Sequence, residues 1–462
     1  MLTHFITTVS EAYSPTPYYT TYNGLLDPFS IKGSWKRYLQ KDINDEVLVA
    51  YGYGDGGGGP TIEMLENAKR LNKGLPGMPK VESTTPKAFF QKLENTIADK
   101  KVPKWMGELY FEYHRGTYTS MAQNKKYNRL VVNLLQSVEK MYSLLDLEKY
   151  PQAELEKMWK LTLLNQFHDI LPGSSIKEVY DQTDSEYEQT IETAERLIDE
   201  LVSDSDNNQA ENKLWLFNPL GIERNMIVET ELASNEAIEV DGQILHIQVT
   251  SENKVLVEVP NVPSLSSQDM KIVKVPTIEK QVDSELSKTI ETSFYILEFN
   301  DEYDLVSVYD KKNHREIIPQ GEIFNQLNVY EDLPLNYDAW DIDIYYKEKV
   351  WPVKSVKQAK LIEDGPIRKT LLVERVYEES TISQKIHLYE NNGRIDFETE
   401  VDWHQQHLLL KAEFPVEVHS YKATFDIQFG NIERPIHENT SWDKARFEVS
   451  GQKWVDISEG GY

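Results

Sequence analysis

The distribution of apolar and polar positions changes twice along the chain. In its first part, short apolar runs alternate with segments of helical periodicity. Residues 46–51 are mostly apolar and run into glycines, which is typical of a buried strand that enters a loop. Residues 60–71 begin with a proline and repeat apolar positions near helical spacing, and residues 80–83 and 86–97 repeat this order. Such alternation predicts α/β packing with parallel strands.

A helical pattern follows this first part. Between residues 121 and 202, Leu130, Leu134, Val138 and Tyr142 recur every four positions, and Pro151 opens a second helical segment. This spacing predicts a bundle of long helices. Residues 204–212 contain no large apolar side chain, so we expect an exposed linker there.

The last 250 residues or so change to a period of two. Apolar and polar side chains alternate most clearly in residues 254–259, 381–389 and 395–403. Alternation over strand-length segments is typical of antiparallel sheets with one buried face, and a β-sandwich is the architecture that it favours.

Composition narrows the possible partners. The chain has 49 Lys and Arg against 76 Asp and Glu, a net charge of -27, which disfavours nucleic acid and anionic membrane surfaces. Hydrophobic residues make up 40% of the chain, which indicates a globular protein, and the absence of cysteine leaves His, Asp and Glu as metal ligands. Without a signal-like N-terminus or a long apolar segment, the expected compartment is the cytoplasm.

A glycine-rich loop, GYGDGGGGPT, begins at Gly52 and formally contains the GxGxxG pattern between a predicted strand and a predicted helix. A dinucleotide site is disfavoured because Asp55 would repel a pyrophosphate. Two alternatives stay open: a flexible glycine turn, or a loop in which Asp55 bonds a neutral polar ligand such as a sugar.

Two further segments combine acidic, basic and aromatic side chains. In GELYFEYHRGTYTS, which begins at Gly107, a helical conformation would place Glu108 and Glu112 one turn apart on one face. In NQFHDILPGSS, His168 and Asp169 lie near the end of an apolar helical pattern. The plain alternatives are a solvated acidic turn for the first segment, and for the second a core histidine bonded to a carbonyl with Asp169 as a local cap.

A third segment, DLPLNYDAWDID, is rich in acids and contains Trp340. It is suited to lining a carbohydrate cleft, since carboxylates bind hydroxyls and an aromatic face covers a sugar ring. The alternative is a charged turn with one packed aromatic ring. In the sequence WHQQH, His404 and His407 would point to opposite faces of a strand, and we interpret them as surface residues.

Taken together and in chain order, these segments resemble glycoside hydrolase family 38, the α-mannosidases, and most closely its bacterial and cytosolic members. The resemblance is carried by eight blocks of sequence: THFITT, TYNGLL, YGYGDGGGGPT, GELYFEYHRGTYTS, NQFHDILPGSSIKEVY, LWLFNPLGIER, YDAWDID and VDWHQQHLLLKAEFPV. It implies a retaining, zinc-dependent hydrolase that acts on mannose-containing oligosaccharides.

The resemblance also implies a multidomain fold that combines an α/β part, an all-α part and an all-β part. Residues 1–105 would be the C-terminal part of a (β/α) catalytic barrel, and residues 106–203 a helical middle domain. The linker at 204–212 would lead into β-sandwich domains at 213–462 that are truncated at their C-terminus.

Site residues follow from the matching positions. His168 matches the family's late zinc-ligand histidine, and Asp169 matches the adjacent carboxylate that contacts sugar. Glu108 falls where the family has its general acid/base carboxylate, with Glu112 as a rival. In the implied mechanism, zinc holds two hydroxyls of mannose, an Asp attacks the anomeric carbon, and Glu108 protonates the leaving group and then deprotonates water.

Substrate binding is assigned to three further side chains. Asp55 matches the carboxylate of the family's substrate-side loop, and Tyr53 lies beside it in the same loop. Trp340 belongs to the block YDAWDID. All three are expected to contact the mannose-containing oligosaccharide.

The sequence departs from the family in one respect. The family's early His-x-Asp motif supplies two zinc ligands and a later Asp supplies the nucleophile, and neither segment occurs in the sequence. We therefore expect an internal fragment that lacks the N-terminal part of the barrel, binds zinc weakly through His168 and has no activity alone. A complementing N-terminal segment or a second copy of the chain is the expected partner, because an incomplete barrel exposes strand edges.

Two alternatives of other classes stay open. A non-catalytic carbohydrate-binding or assembly module would use the same acids and aromatic rings without any chemistry. A nucleotide-dependent α/β enzyme would rest on the Gly52 loop alone and predicts stabilisation of the protein by nucleotide.

Overall fold

The structure of the chain, a computed structural model, describes residues 1–6, 8–10, 18–20, 22–54, 57–110, 112–204, 212–278, 284–285 and 287–462. Two of the predictions therefore concern residues outside the described ones: Asp55, and the linker between residues 205 and 211. The chain divides into two compact units, Met1–Leu109 and Tyr110–Tyr462. No helix in the described ranges is both long and apolar enough to cross a membrane.

The described residues of the first unit form three helices and one pair of short antiparallel strands. Its elements are β1 (Thr8–Ser10), β2 (Tyr18–Thr20), α1 (Pro28–Arg37), α2 (Ile62–Asn72) and α3 (Pro86–Ile97). The helices predicted at 60–71 and 86–97 are present as α2 and α3. Each begins after a threonine whose hydroxyl accepts a hydrogen bond from the backbone three residues on, at 3.3 Å for Thr61 and 3.2 Å for Thr85.

The strands predicted at 46–51 and 80–83 are absent from this unit. Residues 46–50 and 80–83 have no regular structure, and Tyr51 makes a single parallel bridge with Gly24. In that bridge the Gly52 N–H donates to Gly24 O at 2.9 Å. The predictions fail because an apolar run becomes a strand only when neighbouring strands pair along its length. Val49 and Tyr51 still pack against the small core of this unit, which comprises Leu26, Ile31, Met64 and Leu71.

The second unit begins with the predicted helix bundle. Its helices are α4 (Ala122–Leu145), α5 (Gln152–Asn165) and α6 (Lys177–Asp204). The buried positions of α4 include Val131, Leu135, Val138 and Tyr142, whereas Leu130 is 45% exposed. Apolar side chains repeated every four residues drift around a helix of 3.6 residues per turn, so the predicted stripe is only partly buried.

The rest of the second unit is built of antiparallel strands, as the alternating pattern predicts. The strands and one short helix are β3 (Lys213–Asn218), β4 (Arg224–Thr230), β5 (Glu236–Val240), β6 (Gln243–Ile244), β7 (Ile247–Val249), β8 (Val255–Val262), β9 (Ser266–Lys274), β10 (Ser284–Glu285), β11 (Thr289–Glu291), β12 (Tyr295–Phe299), β13 (Leu305–Asp310), β14 (Arg315–Glu316), β15 (Gln326–Glu331), β16 (Val350–Pro352), β17 (Ser355–Asp364), β18 (Arg368–Tyr377), β19 (Ser380–Tyr389), β20 (Ile395–Asp402), β21 (Leu408–Glu413), β22 (Lys422–Ile427), β23 (Gly430–Pro435), α7 (Ser441–Ala445) and β24 (Val455–Asp456).

These strands form layered sheets. The sheets β3-β9-β5-β6 and β4-β8-β7 enclose one apolar core, which includes Ile238 and Val257. The sheets β10-β17-β18-β19-β20 and β11-β12-β13-β14 enclose a second core, in which Leu297 faces Leu371 and Leu388. Two three-stranded sheets, β16-β15-β21 and β23-β22-β24, complete the region. The segments that join β15 to β16 and precede α4 lie in this unit and carry the candidate site.

Candidate active site

Three of the segments singled out from the sequence meet in the second unit. They are residues 112–120 before α4, residues 166–175 after α5, and residues 332–343 between β15 and β16. The contacts that join them involve backbone groups and buried side chains, so their relative positions are fixed by the fold.

Residues 112–120 bind the 332–343 segment directly. They are not helical at Glu112, where the chain turns, and contain only the 3₁₀ turn Gly116–Tyr118. The Gly116 N–H donates to Trp340 O at 2.8 Å, and a Cβ on Gly116 would lie 3.1 Å from the same oxygen. Next to it, Arg115 pairs with Asp341 at 3.1 Å, with side chains only 10% and 3% exposed. The two segments are therefore joined by a close backbone approach, which requires a glycine at position 116, and by a buried ion pair.

Ser120, at the end of this segment, and the first turn of α4 also hold the loop that carries His168. The loop is tied down by Lys125, whose Nζ donates to Leu171 O at 2.8 Å and to Ser120 O. Burial lowers the pKa of Lys125 to about 8. Gly173 adopts φ +92°, and a Cβ there would lie 2.6 Å from Ser120 O. Ser120 therefore touches the His168 loop, and its hydroxyl also lies 3.2 Å from Ala339 O in the third segment.

His168 and Asp169 lie in a turn beyond the end of α5. Their side chains are 81% and 64% exposed, with His168 Nε2 3.8 Å from Asp169 Oδ1. The alternative of a core histidine bonded to a carbonyl is wrong, because the ring is open to solvent. The whole end of α5 is exposed, since the apolar side chains of Leu163 and Leu164 just before it are themselves more than half exposed.

Four aromatic side chains form a continuous row, which we call the aromatic strip: Tyr113, His114, Tyr337 and Trp340. The His114 and Trp340 rings are stacked at 5.0 Å, and the Trp340 and Tyr337 rings at 5.5 Å. Tyr113 meets Tyr337 edge to face at 6.3 Å. The predicted substrate residue Trp340 is thus part of a larger aromatic surface rather than an isolated packed ring.

Carboxylates and a histidine border the aromatic strip. The Asp332 N–H donates to His407 O at 2.8 Å, and His407 Nδ1 lies 3.7 Å from Asp338 Oδ1. Asp332 Oδ1 is buried without a hydrogen-bond partner among the described residues. Burial, with the nearby Asp338 charge, raises the pKa of Asp332 to about 6. His404 and His407 are both about half exposed, in keeping with surface residues, but they lie in the loop between β20 and β21 rather than on a strand.

The remaining predicted residues lie in the first unit or outside the described residues. Tyr53 is 54% exposed, and its N–H donates to Gly59 O at 2.9 Å, which closes the glycine loop on itself. Glu108 is half-buried, and its carbonyl accepts a hydrogen bond from Trp105 Nε1 at 3.1 Å. Glu108 and Glu112 are not on one helical face, because residues 108–110 have no helical conformation. Asp55 is not described.

His168 and Asp169 provide two donor groups, whereas a protein zinc site has about four. Among the residues that the structure describes, no group of three or more His, Asp or Glu side chains is placed to hold a metal ion. The described residues alone do not complete a zinc site. What they provide is a solvent-facing imidazole and carboxylate on a loop held by backbone contacts.

Sequence reasoning missed four functional candidates at this site: Lys125, Asp332, Tyr113 and Tyr337. Lys125 lies in a helical pattern where a lysine normally faces solvent, so nothing in the sequence indicates that it is partly buried. Asp332 and Tyr337 belong to the acid-rich segment that contains Trp340, and Tyr113 to the segment that contains Glu112. Their importance depends on contacts between segments 220 or so residues apart, as in the Arg115–Asp341 pair.

Three family descriptions match the chain in order. Residues 1–108 match the Glycosyl hydrolases family 38 N-terminal domain, residues 112–204 match the Alpha mannosidase middle domain, and residues 290–462 match the Glycosyl hydrolases family 38 C-terminal domain. The middle match coincides with the helix bundle, and the last with the strand-rich part of the second unit.

Similar proteins are much longer than this chain. Alpha-mannosidase G of Dictyostelium discoideum is 34% identical over 490 residues, an alignment that covers 95% of this chain and 44% of that protein. Alpha-mannosidase 2C1 of Homo sapiens is 34% identical over 454 residues, which cover 94% and 42%. The chain therefore spans less than half the length of these relatives.

A solved structure has the same fold. A crystal structure of an alpha-mannosidase from Enterococcus faecalis superposes with a TM-score of 0.67 at 12% identity, covering 89% of this chain and 56% of that one. A likeness at this level of identity concerns the architecture alone.

Proposed function

The chain belongs to glycosyl hydrolases family 38, and from that premise we propose that it forms part of a retaining α-mannosidase that releases α-linked mannose from oligosaccharides. The observation that carries the proposal is the contact network around Gly116. It gathers the three chemistry-bearing segments of the second unit, each of which is also a block of family resemblance.

Glu108 is the proposed general acid/base. As a carboxylic acid it would protonate the glycosidic oxygen of the leaving group, and as a carboxylate it would then deprotonate the attacking water. Retention requires a second carboxylate about 5 Å away to form the glycosyl-enzyme. We propose that this nucleophile is an Asp of the complementing segment and not a residue of this chain.

His168 is proposed as one zinc ligand. The support is its open imidazole on a loop that Lys125 and Gly173 hold in place, which suits a ligand that must present a ring nitrogen. Since His168 and Asp169 are too few to hold the ion, zinc binding by the 462-residue chain alone should be weak. The other ligands would come from a complementing segment, and the chain alone should not turn over mannosides.

Sugar contacts are proposed for Asp169, Trp340, Tyr53 and Asp55. Asp169 is 64% exposed beside His168, and so is able to accept hydrogen bonds from sugar hydroxyls. Trp340 and Tyr53 expose 36% and 54% of their surface. The oligosaccharide would thus be bound by carboxylates and aromatic faces, the mixture that a hydroxylated ring requires.

A second candidate function, a non-catalytic carbohydrate-binding module, is favoured by the aromatic strip. Its rings and bordering carboxylates lie in the second unit and would bind sugar without any acid/base or metal chemistry. The two functions differ in turnover: a binding module retains sugar affinity in every preparation and never releases mannose.

The test of the acid/base assignment uses two matched variants in an enzyme assembled from this chain and a second polypeptide that carries the family's His-x-Asp motif. Glu108→Gln should lower turnover of an α-linked mannobiose by roughly 10²–10⁴-fold, because the leaving group then departs without a proton. Glu112→Gln, four residues on, should retain most of the activity. A large loss in Glu112→Gln with near-normal turnover in Glu108→Gln would transfer the role to Glu112.

A further inference from the structure

The two tyrosines of the aromatic strip are unusually open for aromatic rings in contact with one another. Tyr113 and Tyr337 are each 58% exposed, whereas Trp340 between Tyr337 and His114 is 36% exposed. Large aromatic side chains stabilise a fold by burial, and these two give up most of that stabilisation. Part of each ring, including the side of Tyr337 that is not stacked on Trp340, is therefore exposed to a ligand.

Backbone conformation adds a second observation. Tyr113 has φ +64° and Tyr337 has φ +60°, in the left-handed region that bulky residues seldom adopt. His407, at the border of the strip, has φ +54°. Each such residue costs of order 1 kcal/mol or more, and non-glycine residues in this conformation cluster at binding sites. Packing does not account for the two tyrosines, since their rings are mostly exposed.

Hydrogen-bonding groups lie beside the rings. Asp338 follows Tyr337 directly in the chain, and its side chain is 69% exposed, 3.7 Å from His407 Nδ1. A carboxylate accepts hydrogen bonds from hydroxyls, and an imidazole either donates or accepts. A neutral ligand with an apolar ring face and several hydroxyls matches this surface. A pyranose ring has both properties.

We propose that Tyr113, Tyr337 and Asp338 form a subsite that binds a sugar unit of an α-linked mannose oligosaccharide, separately from His168 and Asp169. The Tyr113 and Tyr337 rings lie at 79° to each other, so the sugar ring stacks on one tyrosine while the other contacts its edge. Asp338 accepts hydrogen bonds from its hydroxyls. The subsite is held at a fixed distance from the His168 loop, because both are attached to residues 116–120 through Trp340 and Gly173. This inference rests on the proposed function and specifies which residues recognise the part of the substrate beyond the reacting mannose.

The experiment is a calorimetric titration of the 462-residue chain with methyl α-mannoside, with the α-1,2-, α-1,3- and α-1,6-linked mannobioses, and with cellobiose as a negative control. At least one mannobiose should bind more tightly than the methyl mannoside. Tyr113→Ala and Tyr337→Ala should each weaken that binding by roughly tenfold, since each removes one aromatic contact to the sugar.

Two kinds of variant separate recognition from folding. Tyr113→Phe and Tyr337→Phe keep the ring and should stay within about twofold of the wild-type affinity. Tyr421→Ala removes a tyrosine that is 87% exposed outside the strip and should change nothing. Asp338→Asn should weaken binding less than loss of either ring, because an amide oxygen still accepts a hydrogen bond.

The proposal is overturned if no mannobiose binds to the wild-type chain, or if the alanine variants bind as tightly as the wild type. It is also overturned if they change only the sedimentation behaviour, because the strip would then bind a second copy of the chain. Its failure is distinguishable from failure of the proposed function. Mannobiose binding that depends on both tyrosines, without turnover in any assembled enzyme, contradicts only the α-mannosidase assignment.

Discussion

Asp332 is the side chain at the site whose protonation the fold most clearly alters. Its pKa is raised to about 6, mainly by burial, so the folded protein holds a proton there that the unfolded chain releases near pH 4. The stabilising contribution is therefore complete below about pH 4 and is lost as pH rises through about 6. At pH 7.5 the folded state carries a buried, partly unsatisfied carboxylate.

Asp332→Asn should consequently raise the free energy of unfolding at pH 7.5 by about 1 kcal/mol, a value reduced from the full pKa shift because the side chain is partly solvated. The gain should be much smaller at pH 4.5, where Asp332 is protonated in the folded state and only partly ionised in the unfolded chain. Urea unfolding at the two pH values measures it. Asp301→Asn, at a fully exposed aspartate, is the matched control and should show no such pH dependence. A gain of equal size at both pH values would contradict the assignment to Asp332 ionisation.

Lys125 is predicted to hold the His168 loop. Lys125→Met keeps the length of the side chain but removes the donor to Leu171 O and Ser120 O. Amide hydrogens in residues 168–175 should then exchange roughly tenfold faster, since hydrogen bonds from a charged donor are worth about 1.5–3 kcal/mol. Lys126→Met, at the exposed neighbouring position, is the control. Unchanged exchange in 168–175 would show that the loop is held instead by Gly173 and by Ser175, whose hydroxyl donates to Asp169 O at 2.7 Å.

Single residues were predictable from the sequence when their role resides in a local motif. His168, Asp169 and Trp340 stand in short segments with family resemblance, and the structure places all three at or near the surface of one unit. Asp332 and Lys125 were not predictable, because their altered pKa values arise from burial by segments distant in sequence. The residues next to a charged side chain in the sequence do not indicate whether that side chain is buried in the folded protein.

At the level of elements, the loop after α5 depends on one close approach of two backbones. Gly173 has φ +92°, and a Cβ there would lie 2.6 Å from Ser120 O. Gly173→Ala should lower the free energy of unfolding by about 2 kcal/mol or more, from backbone strain plus the displaced backbone. Gly321→Ala is the matched control, since Gly321 has φ +88° with nothing within 4 Å of its Cβ, and strain alone costs about 1 kcal/mol.

Thermal unfolding of the two glycine variants separates strain from close approach. The difference between them measures what the Gly173–Ser120 approach contributes. Equal destabilisation in both variants would mean that the loop moves away from Ser120 without cost, and the packing of the three segments would then be looser than the structure indicates.

Helices were predicted better than the strands of the first unit, for a physical reason. A helix satisfies its own backbone hydrogen bonds, so α2, α3 and the bundle follow from periodicity, prolines and threonine caps. Antiparallel strands such as β18 and β19 pair with sequence neighbours, and their alternation is a sufficient signal. Residues 46–51 require parallel partners from elsewhere in the chain, and in the described residues the run pairs only at Tyr51.

At the scale of the whole molecule, the order of a mixed first part, a helix bundle and a strand-rich region was predictable because each part has its own periodicity. The three family matches follow the same order. The convergence of residues 112–120, 166–175 and 332–343 was not predictable from periodicity, since it depends on a buried ion pair and two glycines that connect the bundle to the sheets.

The most direct measurement is the zinc content and the rate of aryl α-mannoside hydrolysis of this chain, alone and assembled with a second polypeptide that carries the family's His-x-Asp motif. The proposed function predicts little zinc and no turnover for the chain alone. The assembled enzyme should hold one zinc ion and hydrolyse the substrate, and His168→Ala should abolish both. Hydrolysis by the chain alone, whether or not chelation or His168→Ala abolishes it, would contradict this account, as would an assembled enzyme whose zinc content and rate are unaffected by His168→Ala.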